Sequence, residues 1–447
     1  MSNIKAILID KKSLALQILC AVLILAACFI NKSLVLIAGI VSMAYIFSGA
    51  KWEQKFAFFM FILSFSPIFR LNKDQTSLFI FLRLAVVISY VFQQKGKFSF
   101  TFITLLISFA AYSLILSSIY KTEYLTSLVN IVLWCMIGYI IAVTLEIETV
   151  TPVLKSLVNG VILTGIIGFF INELPPLAEE VGVLFIYAED GALVYRYAAL
   201  WVDPNYYTVL LVASLWSMYF EYNKKRVVFL EFVTRCLLVT FIGTMTMSKS
   251  CILMFIVFWL YVVIAKNDIK LASKVTMVFV MIFAVIFFLY KNPYWISDMF
   301  YRFGSSKEEI TAQTITTGRS KLWNEYLMRM LDDFSWIFGH GLKSTLYLIN
   351  GVLKGSHNTY IQMIFNFGIL GTLLYISIFR NIFVNAKAKI TKNSIVNRKK
   401  KKIGKLALLS LLATLFFLDG IYIEMYYYMI PLTFVYILDD DETSEFE

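Results

Sequence analysis

Apolar residues run along this chain in long blocks set apart by short polar connections, without the strict alternation of surface strands. The blocks stand near 13–30, 33–50, 56–69, 77–92, 98–120, 124–145, 154–171, 206–221, 227–247, 250–265, 274–290, 359–379, 405–418 and 421–438. Backbone N–H and C=O groups in hydrocarbon must pair within their own segment, so blocks of this kind predict helices. Several fall short of the roughly 20 residues of a straight crossing, and 56–69 is the weakest. The pattern therefore predicts an all-α polytopic membrane protein, one integral membrane domain over 1–447 with about 12–14 transmembrane helices. The first block follows Lys11 and Lys12 as a signal peptide would. No small-residue cleavage site follows it and the next apolar block begins almost at once, so it reads as a retained helix.

Charge orients the set. With the N-terminus inside, the cytoplasmic connections hold Lys51 and Lys55, Lys95 and Lys97, Lys155, Lys224 to Arg226, and Lys266, Lys270 and Lys274. They also hold a basic linker over 380–404, where Arg398 and Lys399 to Lys402 crowd together with Lys405 close behind. The short outer connections carry only Lys32, Arg70, Lys73, Lys121 and Lys249. A register shifted by one span would put the basic linker outside, against the positive-inside rule. Both termini, including an acidic tail over 439–447, are then expected in the cytoplasm. Two long connections fall on the outer face, 172–205 and the larger 291–358.

Composition agrees with the pattern. The chain is 60% hydrophobic and 15% charged, against about 45–50% apolar and about 25% charged in soluble proteins. Its net charge of +11 is concentrated in cytoplasmic connections, so nucleic acid is not expected as a partner. Cys20, Cys28, Cys135, Cys236 and Cys251 lie in or beside apolar blocks without a CxxC pair, and read as small packing residues. Arg83 and the Glu231/Arg235 pair lie inside apolar blocks, where an ionisable group is costly; they form a second-rank site hypothesis. No P-loop, GxGxxG, HExxH or GxSxG stands in a usable context. Neither cofactor nor metal is expected, and Asp332-Asp333 reads as an isolated acidic pair.

Chemistry gathers in the outer connections. Both histidines of the chain, His340 and His357, lie in 291–358. Histidine suits proton transfer near neutral pH. His357 stands in Gly355-Ser356-His357-Asn358, just before the block that opens with Thr359-Tyr360, and so on a fixed helix start at the membrane surface. His340, between Gly339 and Gly341, reads as an ordinary turn residue. Arg319 opens Arg319-Ser320-Lys321-Leu322-Trp323, which predicts a helix along the membrane surface with Leu322, Trp323, Tyr326 and Met330 on one face. Arg196 closes the first outer loop ahead of Asp203-Pro204-Asn205, a helix-start signature of acidic N-cap and proline at N1. A guanidinium is always charged and grips phosphate oxygens bidentately. Arginines at the outer edge of hydrocarbon suit a lipid-linked phosphate, although a helix-anchoring arginine would look the same.

These elements resemble, in order, the bacterial O-antigen polymerases and O-antigen ligases. The resemblance rests on Arg196 with Asp203-Pro204-Asn205, Gly318-Arg319 with Trp323, and Phe338-Gly339-His340-Gly341. It continues through Ser356-His357-Asn358-Thr359-Tyr360 and Phe367-Gly368-Ile369-Leu370-Gly371, covering roughly residues 195–375. It implies a GT-C-like glycosyltransferase of the bacterial cytoplasmic membrane, acting on the outer face in O-antigen (lipopolysaccharide) or capsule synthesis. Its donor and acceptor would be undecaprenyl-pyrophosphate-linked oligosaccharides, without metal and with inversion at the anomeric carbon. Arg196 and Arg319 would hold the pyrophosphate and His357 would act as base. Asp203, Asn205, Trp323, Asn358 and Tyr360 are the substrate-binding candidates. Membrane lipids, and a chain-length regulator, are the expected partners. Repeat-unit polymerase is the favoured activity; a ligase moving the glycan to lipid A-core or protein is the alternative, and a lipid-linked oligosaccharide flippase the alternative from another class.

Overall fold

The computed structural model describes residues 11–70, 77–93, 96–122, 124–146, 149–172, 186–189, 192–195, 197–201, 203–264, 270–291, 319–347, 353–390, 398–418 and 420–437. Arg196, most of the 172–205 loop, residues 292–318, the centre of the 380–404 linker and the tail over 439–447 lie outside them. The described chain is helical apart from two short antiparallel hairpins, β1 (Ile186–Glu189) with β2 (Ala192–Tyr195) and β3 (Leu346–Tyr347) with β4 (Leu353–Lys354). It is an all-α polytopic membrane protein. Five described helices are long and apolar enough to cross a bilayer: α1 (Lys11–Phe29), α5 (Phe100–Ile119), α6 (Leu125–Thr144), α7 (Val150–Asn172) and α14 (Thr359–Ile390). The apolar faces agree: on α5, Ile107, Ile115 and Ile119 are exposed, a surface that hydrocarbon accepts and water does not.

The chain forms two compact units: Met1–Tyr45, Gly49–Phe79 and Glu148–Glu309 in the first, Ile46–Ser48, Ile80–Ile147 and Ile310–Glu447 in the second. The first unit holds α1, α2 (Leu34–Phe47, as far as Tyr45), α3 (Trp52–Leu63), α7, α8 (Pro204–Asn223), α9 (Phe229–Met245), α10 (Lys249–Ile264) and α11 (Leu271–Lys291). Helix α3 explains why the 56–69 block was the weakest. Its 12 residues span about 18 Å, well short of a hydrocarbon core of about 30 Å. Every residue of it except Glu53 is buried, and it packs on α7 and α1. Gly160 lets α7 approach: a Cβ there would meet the Phe61 carbonyl at 2.6 Å, the small-residue contact by which apolar helices pack without a hydrophobic driving force. Pairing also accounts for Glu231 and Arg235. They form an i,i+4 salt bridge of 3.0 Å, with Asn159 Oδ1 accepting from Arg235 at 2.9 Å and Lys155 at 4.0 Å from Glu231. All five cysteines are buried and reduced.

The second unit holds α4 (Phe79–Gln93, from Ile80 on), α5, α6, α12 (Arg319–Asp332), α13 (Ser335–Phe338), α14, α15 (Arg398–Thr414) and α16 (Glu424–Ile437). Here Arg83 finds a partner that sequence spacing does not reveal. Its guanidinium meets Glu424 Oε2 at 2.6 and 2.8 Å, donates to Asn130 Oδ1 at 2.8 Å and lies over the Trp134 ring at 5.5 Å. Losing either partner would strand a buried charge, which typically costs about 3–5 kcal/mol. The pair fixes the start of α16 against α4 and α6.

Two helix breaks shape this unit. Helix α14 is interrupted at Gly368, which sits at φ 61. A Cβ at Gly368 would collide with the Ile337 carbonyl, and one at Gly339 (φ 85) with the Asn366 carbonyl, so glycine is needed at both for conformation and space. The carbonyls released by the break are paired by the 338–341 turn: His340 N–H donates to Phe365 O at 2.9 Å and Gly341 N–H to Asn366 O at 2.8 Å. Tyr112 Oη adds bonds to Phe338 O at 2.7 Å and Phe367 O at 3.0 Å. Backbone that leaves the helical pattern inside an apolar unit must be satisfied by such partners. The second break separates α15 from α16, with short 3-10 turns at Leu415–Phe417 and Gly420–Tyr422.

Candidate functional site

Helix α12 begins at Arg319, where the sequence placed it, but its apolar face is covered by protein. Leu322, Tyr326 and Met330 are buried in a cluster with Phe365 of α14, the Tyr326 and Phe365 rings 4.6 Å apart. These residues therefore do not make the expected contact with a membrane surface. The i, i+3, i+4 spacing identifies an apolar stripe without saying what lies over it. Trp323, one step round from that stripe, is half-buried and donates its indole N–H to Ser356 O at 2.9 Å.

That bond reaches the start of α14. Ser356 is held three ways: its N–H donates to Gln362 Oε1 at 2.9 Å, its carbonyl takes Trp323, and its hydroxyl donates to Asn358 O at 2.8 Å. Asn358 is buried and caps α14, Oδ1 accepting from Tyr360 N at 3.0 Å and Ile361 N at 3.3 Å. Between these two pinned residues stands His357, exposed and at φ 50. The left-handed region is disfavoured for residues with a Cβ and persists where the surroundings impose it. Tyr360 donates its hydroxyl to Leu412 O at 2.9 Å, with its ring 4.6 Å from that of Phe416.

Arg319 joins the same place through the α15–α16 break. Its Nη1 donates to Phe417 O at 3.2 Å, while Thr359 Oγ1 donates to Leu418 O at 2.5 Å and accepts from Gly420 N at 2.7 Å. Arg319 and the residue two past His357 thus hold the carbonyls of consecutive residues. A permanent cation and an exposed imidazole are gathered at one end of α14.

His340 is more than an ordinary turn residue. Its Nε2 lies 2.9 Å from Asp333 Oδ2, Nδ1 is 3.3 Å from Phe365 O, and the ring stacks on Phe365 at 4.3 Å. Asp333, read from sequence as half of an isolated pair, also takes Ser335 N–H at 3.0 Å and Arg329 at 3.3 Å. Burial raises the Asp333 pKa, but the hydrogen bonds from Ser335 and His340 outweigh it and hold the carboxyl below its usual value. Among the described residues, no three His, Cys, Asp or Glu side chains gather as a metal site.

Asp203 and Asn205 belong to the first unit. Asp203 Oδ1 accepts from Asn205 N at 2.7 Å, capping α8, and Asn205 Oδ1 accepts from Ser248 Oγ at 2.8 Å. Arg196 lies outside the described residues. Of the expected site residues the second unit therefore brings together Arg319, Trp323, His357, Asn358 and Tyr360. The supports sequence reasoning missed are Gln362, Asn366, Tyr422 and Asp333. A polar pair four residues apart within an apolar block, Gln362 and Asn366, was the available signal.

The described residues thus form an all-α membrane protein that brings Arg319 and His357 to the start of one helix. Residues 232–376 of the 447 match the model of the O-antigen ligase family. Over that segment, about a third of its length, the chain is similar to an O-antigen ligase/polymerase-like family. The match contains Arg319, Trp323, His357, Asn358 and Tyr360, and starts after Arg196, Asp203 and Asn205. No curated protein matches the chain.

Proposed function

We propose that this protein transfers a glycan from a polyprenyl pyrophosphate donor to a sugar hydroxyl, on the outer face of the bacterial cytoplasmic membrane. The observation that carries this reading is the convergence of Arg319 and His357 at the start of α14, through the adjacent carbonyls of Phe417 and Leu418 and the Trp323–Ser356 bond. In the reaction, the acceptor oxygen forms a bond to the anomeric carbon as the bond to the pyrophosphate oxygen breaks. Attack from the opposite face inverts that carbon. His357 takes the hydroxyl proton, and Arg319 stabilises the charge that grows on the departing pyrophosphate. The resemblance assigns the same charge-stabilising role to Arg196. The frame built from Trp323, Asn358 and Tyr360 sets where the acceptor meets His357; Asp203 and Asn205 fix the helix that follows Arg196.

The favoured acceptor is a second lipid-linked repeat unit, which makes the protein a polymerase of O-antigen or capsule glycan, with a chain-length regulator as a natural partner. The description of the matched family favours a second reading, a ligase that delivers the glycan to lipid A-core or protein. Donor and acceptor are both membrane-anchored, in keeping with the outward placement of 291–358 by the charge pattern.

Cells lacking the native copy and expressing Arg319→Ala, Arg196→Ala or His357→Ala test the proposal. Loss of one charge-stabilising donor should lower turnover by about 10²–10³, so each arginine variant should leave surface glycan as single repeats. Long chains still reaching the cell surface at wild-type levels, with the variants expressed normally, would overturn it. Single repeats at the surface mark a polymerase; long chains accumulating on the lipid carrier mark a ligase.

A further inference from the structure

Behind His357 runs a buried line of side chains to which the proton transfer proposed above gives no part. Gln362 and Asn366, 2% and 0% exposed, lie one turn apart on α14. Gln362 Oε1 accepts from Ser356 N at 2.9 Å, and Gln362 Nε2 donates to Asn366 Oδ1 at 2.8 Å. Asn366 Nδ2 donates in turn to the hydroxyl of Tyr422 at 2.8 Å, and that oxygen also accepts from Lys343 N at 2.8 Å. An amide has an acceptor end and a donor end, so each link fixes the orientation of the next. Amides do not titrate in the working range, and the line therefore transmits geometry and no proton.

The line ends in the break between α15 and α16, the same segment that takes Arg319 on Phe417 O and Thr359 on Leu418 O. Among the bonds described for Ser356, the one to Gln362 leads to this break, while those to Trp323 and Asn358 are made on α12 and in the same turn. His357 stands at φ 50, and a disfavoured backbone needs surroundings that over-determine it. We propose that Tyr422, acting through Asn366 and Gln362, is a positioning residue for His357, and that the α15–α16 break is the common support that sets His357 and Arg319 relative to each other. This rests on the reading of His357 as the base.

The test uses the full chain in lipid nanodiscs, with a radiolabelled polyprenyl pyrophosphate glycan as donor. The variants are Tyr422→Phe, His357→Ala and the two combined. Tyr422→Phe keeps the ring and deletes the acceptor at the end of the line. It should lower kcat roughly 10- to 100-fold, the range expected when a reacting group shifts by a fraction of an ångström to one ångström. The donor KM should hold, because Arg319 keeps its own carbonyl. In the His357→Ala background the same change should have no further effect, since coupled residues are not additive. Hydrogen exchange over residues 353–360 should rise in Tyr422→Phe. Gln362→Met, similar in volume and without an amide, carries the same comparison if Tyr422→Phe does not fold.

The outcomes separate the two ideas. Wild-type turnover in His357→Ala would sink the catalytic reading whatever Tyr422 does. Loss of turnover in His357→Ala, with Tyr422→Phe unchanged or equally damaging in both backgrounds, would overturn the positioning proposal and leave the base in place. A raised donor KM at unchanged kcat would overturn it as well.

Discussion

Helices α8 and α14 open with the same local chemistry and reach opposite results. At α8, Asp203 sits in extended backbone at φ −123 and its Oδ1 accepts from the N–H two residues on, with Pro204 at N1. At α14, Asn358 makes the same bond to Tyr360 N and one to Ile361 N. The second start is marked by the residue just before its cap. His357 is left-handed and exposed, whereas Asp203, Pro204 and Asn205, the described residues that open α8, make an ordinary helix start. A capping residue explains where a helix begins; it does not explain a strained, solvent-facing histidine held by buried neighbours. Strain of that kind points to function when it is observed and cannot be inferred in reverse.

The sharpest way to break the comparison is to remove the strain and the imidazole together. Glycine accepts φ 50 without the cost that a Cβ carries, so His357→Gly should be more stable than His357→Ala by about 1 kcal/mol. Both variants should lose about 10²–10⁴ in turnover, the contribution of a positioned general base. Thermal midpoints and single-turnover rates in the same membranes check the pair. If His357→Gly is no more stable than His357→Ala, the conformation carries no strain and the contrast with α8 disappears.

The two caps should also differ in what their loss costs. Asn358 is buried, and Asn358→Ala would leave two N–H groups without their acceptor, an effect of about 2 kcal/mol. Asp203 is only partly buried, and Asp203→Ala should cost about 1 kcal/mol, with Asp203→Asn costing only a few tenths because the cap survives. Thermal unfolding of the three variants measures the ranking. If Asp203→Asn abolishes turnover at normal stability, Asp203 does more than cap α8.

The helix starts were legible because they depend on short-range chemistry. Gly318-Arg319, Asp203-Pro204 and Asn358 mark α12, α8 and α14 within a few residues, and the apolar blocks follow from the thickness of hydrocarbon. What covers a face was not legible. The stripe Leu322, Tyr326 and Met330 is equally apolar against lipid or against Phe365, and only the fold selects the second. Partners far apart in the chain were hidden for the same reason: Arg83 and Glu424 stand 341 residues apart, and Tyr422 and Asn366 stand 56 apart. The α15–α16 break falls where the sequence offers little more than Asp419-Gly420 as punctuation. Its importance comes from the carbonyls it frees, which no residue type announces.

The turn before the short α13 gives the smallest and most selective test. There the N-cap is the left-handed Phe334, and Asp333, one residue earlier, accepts from Ser335 N on Oδ1 while Oδ2 faces His340. Unlike the Asn358 cap, this bond can be titrated. Its carboxyl is held below the usual value of 3.8 in the folded protein, so the ionised form is favoured by folding. Its stabilising contribution is complete above about 3.8 and is lost as pH falls from there through the lower folded value. The carboxylate is partly exposed, with 28% of its side chain accessible, so solvent screening keeps the effect small. Pepsin cleavage within residues 333–347 should rise below that pH in the wild type relative to Asp333→Asn at the same pH, while cleavage near 356–360 should show no such difference. Equal sensitivity at both places would mean that the α13 turn and the α14 start open as one unit. The distinction between a titratable turn and a fixed cap would then have no local consequence.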